Sequence, residues 1–103
     1  MVSVEGIEAV AAGYEDVGVR STIAPMMADI TLYKAIPDLL QAFPSKYQAR
    51  FSEIKAAPTQ TLLNTCKSLL HKWPFDVARS KIALAPTIPL FCTDEFLLGC
   101  RDL

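Results

Sequence analysis

Apolar positions in residues 4–16 recur at helical spacing. Ile7, Val10, Ala11, Tyr14 and Val17 make one stripe, which predicts a helix. Ser3 fits its N-cap and Glu5 its first turn. Gly18 suits the turn that ends it, because glycine tolerates left-handed dihedrals. The pattern then changes. Val19, Thr22 and Ile23 are β-branched, and Pro25 closes the run, so Val19–Ala24 is predicted as a short strand. Apolar residues on both of its faces imply burial on both sides, as in a parallel sheet. Pro25 to Asp29 is then a loop at the strand's carboxyl end, where α/β proteins usually place their chemistry.

The chain from Asp29 to Pro44 is irregular in pattern, with a short turn expected from Pro37 to Leu40. Ser45 is a candidate N-cap, and Tyr47, Phe51 and Ile54 mark a further helix that Pro58 ends. From Pro58 to Trp73, the residues Leu62, Leu63, Cys66, Leu69, Leu70 and Trp73 share one face, with Gln60, Asn64, Lys67 and Lys72 largely opposite. Ile82–Ala85 reads as a second short buried strand stopped by Pro86. Thr93 caps a last helix, with Asp94 and Glu95 in its first turn and Phe96, Leu97 and Cys100 facing inward.

Each strand follows a helix and runs into a proline-containing loop. A long helical crossover between them predicts that they are parallel. Two parallel strands with three or four amphipathic helices leave faces and edges without cover. The last helix also lacks a glycine cap or a terminating proline. The expectation is a single segment, 1–103, of a larger α/β protein, or a chain that completes itself by association.

Bulk properties narrow the classes. A net charge of −1 with scattered basic residues gives no electrostatic case for nucleic acid or an anionic membrane surface. Hydrophobic residues make up 51% of the chain, high for a small soluble protein. No apolar stretch approaches the ~20 residues that span a bilayer, and the start has no basic n-region. Cys66, Cys92 and Cys100 form no Cys-x-x-Cys pair and read as free thiols in a reducing, cytoplasmic setting. A cysteine-dependent enzyme is a weak reading, since the only histidine, His71, lies far in sequence from Cys92 and Cys100. One histidine cannot make a metal site.

Two strings carry a family resemblance. Gly18-Val19-Arg20-Ser21-Thr22-Ile23-Ala24-Pro25-Met26-Met27-Ala28-Asp29, followed by Ala35-Ile36-Pro37-Asp38-Leu39-Leu40, resembles the third-strand region of the metal-dependent amidohydrolases. The cytosine deaminase, guanine deaminase and chlorotriazine hydrolase branch is the most similar. Ile82-Ala83-Leu84-Ala85-Pro86, with Cys92-Thr93-Asp94-Glu95-Phe96-Leu97, is similar to that branch's fourth strand and following helix. The resemblance implies part of a distorted (β/α)8 barrel, two parallel strands with flanking helices. It implies Zn²⁺ or Fe²⁺ in the intact enzyme, activating water against a C–N or C–Cl bond of a small heterocycle. That family's metal ligands, a His-x-His pair, two single histidines and an aspartate at strand ends, have no counterpart here. No catalytic or metal residue is carried over, and the segment alone is expected to be inactive.

Three residues are candidates for a substrate pocket: Met26, Asp29 and Thr87, each just beyond a strand's carboxyl end. The competing readings are core filler for the methionine and a turn-capping role for Asp29. Arg20, inside a strand expected to be buried, needs an ionic partner within the barrel. The alternative from another class is a small non-catalytic α/β or helical module that self-associates or binds a protein through exposed apolar surface.

Overall fold

The computed structural model describes residues 2–103. Five α-helices and four very short strands follow one another as α1 (Val4–Asp16), β1 (Ser21–Ile23), β2 (Met26–Met27), α2 (Leu32–Ala35), α3 (Ser45–Ser52), α4 (Thr59–His71), β3 (Ser80–Ile82), β4 (Ala85–Pro86) and α5 (Asp94–Asp102). Single 3₁₀ turns occupy Leu40–Ala42 and Pro89–Phe91. The fold is mixed α/β. No helix among the described residues is long and apolar enough to cross a membrane.

Local chemistry explains the helix ends. Ser3 accepts the Gly6 N–H at the start of α1. Its end is a Schellman turn: Gly18 sits at φ 75°, its N–H bonds Glu15, and the Val19 N–H reaches back to Tyr14. Thr93 caps α5 by accepting the Phe96 N–H. The expected cap at Ser45 is displaced by one residue: Pro44 holds the cap position and Ser45 opens α3. Trp73, expected on the inner face of α4, lies just past its end.

The strands pair in parallel, β1 with β3 and β2 with β4. Both ladders keep one register: Ser21 opposes Ser80, Ile23 opposes Ile82, Met26 opposes Ala85 and Met27 opposes Pro86. They are one interrupted ribbon. The prolines were expected to end each strand, and the ladder shows what they do instead. The ribbon bonds through Ser21, Ile23 and Met27: Ser21 N–H to Arg79, Ala83 N–H to Ile23, Thr87 N–H to Met27. In that alternation Pro25 occupies a position whose N–H should donate to Ala83, so the ladder breaks there. Pro86 occupies an outward position where no N–H is required, and pairing passes through it. Strand boundaries move accordingly. Val19, Arg20 and Ala24 fall outside β1, and the second strand begins at Ser80 rather than Ile82.

One face of the ribbon packs on helices. Met27, Leu62, Cys66, Cys92 and Phe96 form the buried cluster, with α4 and α5 laid against the strands. Ser80 is fully buried and its hydroxyl lies 3.1 Å from that of Ser21. Gly99 lets α5 approach Leu63 of α4: an added Cβ would come within 2.7 Å of its methyls. The other face is open. Thr22, Ala24 and Lys81 are exposed, and Met26 is 71% exposed. Burial on both sides of the strands was expected; here only the helix side is covered. In the chain between β2 and β3, Tyr33, Phe43 and Phe51 clasp α2 to α3, with Phe43 and Phe51 edge to face at 4.8 Å.

Candidate functional site

The carboxyl end of the ribbon opens into a shallow groove of about 310 Å³, lined by Met26, Met27, Ala28, Ile30, Leu32, Thr87 and Phe91. Its walls are held by the continuing ladder. The Thr87 N–H donates to the Met27 carbonyl at 2.9 Å, and the Ile30 N–H to Phe91 at 3.1 Å. Thr87 stands one step past β4, and the ribbon's register sets it against Ala28. Its hydroxyl is the one side-chain polar group in an otherwise apolar lining. Such a wall suits a flat, weakly polar ring better than an ion.

Two of the three predicted pocket residues, Met26 and Thr87, therefore share one groove. The third does not. Asp29 is turned toward the helix layer, where it ties two distant helix starts together. Its carboxylate accepts the Thr59 hydroxyl at 2.7 Å and the Thr93 N–H at 2.8 Å, and also the Thr93 hydroxyl. Thr59 opens α4 and Thr93 caps α5, so one negative charge sits at the positive ends of both helices. Burial alone would raise the Asp29 pKa. The hydrogen bonds from the Thr93 side chain, the Thr59 side chain and the Thr93 backbone outweigh it and hold the carboxyl below its ordinary value. Asp29 is a structural clasp, and the turn it was expected to cap is not the one it serves.

Arg20 is a second correction. It is exposed, precedes β1, and has no ion pair; among the described residues the only one within 4 Å joins Arg101 and Asp102. Its surroundings are a basic hollow shared with Arg79 and Lys81. His71 is exposed at the end of α4.

The groove residues that sequence reading missed are Ile30, Leu32 and Phe91. Each reaches the groove through the short turns after the strands, which carry no periodic signal. None of the thiols resembles a nucleophile. Cys66 and Cys92 are buried. Burial, with Cys100 beside it, pushes the Cys66 pKa up to about 12, and burial together with the Asp29 charge raises that of Cys92. Among the described residues no three His, Cys, Asp or Glu side chains converge as a metal site would require. The described residues offer no donor set that fits a catalytic metal.

Comparison with protein-family models, with curated proteins and with solved structures finds no match to this chain.

Proposed function

We propose that this chain supplies two neighbouring strands and their carboxyl-end loops to a (β/α)8 hydrolase of the metal-dependent amidohydrolase type, acting on a C–N or C–Cl bond of a heterocycle. One observation carries the reading: a helix-connected parallel pair whose carboxyl ends open together into an apolar groove containing Met26 and Thr87. A barrel enzyme places its substrate at that end of its strands. The strings that resemble the deaminase and chlorotriazine hydrolase branch fall on these two strands and the turns after them. In this reading Met26 and Phe91 lie against the ring and the Thr87 hydroxyl bonds a ring nitrogen or exocyclic group. The metal and its activated water belong to other parts of the barrel.

The reading frame on both sides of this chain tests the proposal. A His-x-His on an upstream strand and histidine-ended strands downstream support it; stop codons or an unrelated domain overturn it. In the assembled enzyme, Thr87→Ala is expected to raise KM several-fold with a smaller change in kcat, the signature of a binding contact. Deaminase activity with stoichiometric zinc from this chain alone would contradict the assignment.

A non-catalytic module that self-associates or binds a protein is the second reading. It is favoured by Val10, Tyr14 and Val17, which lie on one stripe of α1 and its end and are 51%, 45% and 73% exposed. Light scattering with thermal melting separates the two. A species of fixed stoichiometry that melts cooperatively supports the module; ill-defined association without a cooperative transition supports the barrel segment.

A further inference from the structure

The ribbon's two margins differ. Along β3, the Ser80 carbonyl is taken by the Trp73 indole N–H at 2.9 Å, and the Ser80 N–H is folded back onto Asp76 at 2.8 Å. Among the described residues this closes the margin at the Ser80 row only; the outward N–H and C=O of Ile82 carry no such partner. Along β1 the ladder uses Ser21 and Ile23, which leaves the N–H and C=O of exposed Thr22 directed outward with no strand beside them. A row of free backbone donors and acceptors is a template for another strand.

The charge on the open face says what kind of strand. Thr22 opposes Lys81 on this face, and the same register one row earlier sets Arg20 against Arg79. These side chains line one hollow of about 260 Å³, and all three cations are exposed. Like charges directly opposite one another destabilise a parallel pair. Among the described residues no carboxylate lies within 4 Å of any of them. Beyond these rows the face becomes small and apolar through Ala24, Ala83 and Ala85, and ends at Met26.

We propose that the open edge of β1 takes up, in parallel, a β-strand of another polypeptide that leads with carboxylates and continues with small apolar residues. The carboxylates lie beside Arg20, with Arg79 and Lys81 one strand further across the same hollow; the apolar half runs toward Met26. The backbone supplies the pairing and the charge fixes direction and register. In a closed barrel a neighbouring strand would hold this edge, so the inference rests on the second reading, a module that binds a protein.

Three fluorescein-labelled peptides of alternating pattern test it by anisotropy on the full chain. The first carries glutamate at its two leading open-face positions, the second has glutamine there, and the third has its glutamates at the trailing open-face positions. The acidic-led peptide is expected to bind about 10-fold more tightly than the other two, from one carboxylate opposite Arg20 and one diagonal to it above the basic hollow. Arg20→Gln with Lys81→Gln is expected to abolish that preference while leaving the helical circular dichroism unchanged, since both side chains are exposed. Equal binding of all three peptides, binding of none, or a preference for the acidic-trailing peptide overturns the proposal. So does displacement by inorganic phosphate whatever the peptide sequence, which would mark a free-anion site. A stable dimer that the acidic-led peptide fails to dissociate also overturns it, since a second copy then holds the edge.

Discussion

Asp29 shows how one side chain can organise a small protein. It accepts hydrogen bonds from residues 30 and 64 positions away and holds the starts of α4 and α5 together. Hydrogen bonds to a charged acceptor are worth about 1.5–3 kcal/mol when the geometry is good. Asp29→Ala is therefore expected to lower unfolding free energy by about 2 kcal/mol in urea denaturation at neutral pH. The pH dependence has a definite sign. The folded-state pKa of Asp29 is depressed, so its contribution is fully present above the unfolded value near 4 and is lost as pH falls through the folded value. The variant is expected to show a shallower loss of stability below about pH 4 than the parent. An identical acid limb in the two proteins would remove Asp29 from this role.

At the scale of elements, the longer helices were legible; α2 (Leu32–Ala35), inside a stretch read as irregular, and the strand ends were not. Ser3, Gly18 and Thr93 act within three or four residues of themselves, so their roles follow from local sequence. Where β1 ends depends on Pro25 meeting Ala83, a partner that only the folded ribbon supplies. The site divides the same way. The shared groove of Met26 and Thr87 follows from strand ends marked by their own residues, whereas the hydrogen bonds of Asp29 are set by Thr59 and Thr93 far along the chain. The unpaired state of Arg20 likewise depends on how far β1 extends. The proline argument gives a direct test. Pro25→Ala restores an N–H at the interrupted position, and that amide is expected to exchange with deuterium at least about 10-fold more slowly than the neighbouring Ala24 amide, which points outward. Fast exchange at position 25 would mean that something other than the missing donor splits the ribbon.

The whole molecule is thin and wide. Its extents are 51 × 30 × 18 Å and its radius of gyration is 16.5 Å, against about 13 Å for a compact chain of this length. The accessible surface is 6913 Å², about 1,200 Å² more than a folded monomer of this mass exposes. A standard protein interface covers about 800 Å² on each partner, so the excess is of interface size. The free chain is expected to bind a hydrophobic dye and to associate as its concentration rises. Val10→Glu with Tyr14→Glu is expected to weaken that association at least several-fold by light scattering, because both positions are exposed on α1. A monomer at all concentrations, silent toward dye, would show that the open faces are inert.

The indole of Trp73 decides how such growth can proceed. With the Ser80 carbonyl plugged, a strand added on the β3 flank lacks an acceptor at that row and must begin at Ile82, whereas the β1 flank is open from Thr22 onward. A flank shortened by one row pairs more weakly than a full one, which biases growth to one side and away from endless stacking into fibres. Trp73 thus acts as a brake, and a Trp73→Ala chain would regain the acceptor at the Ser80 row of the second flank.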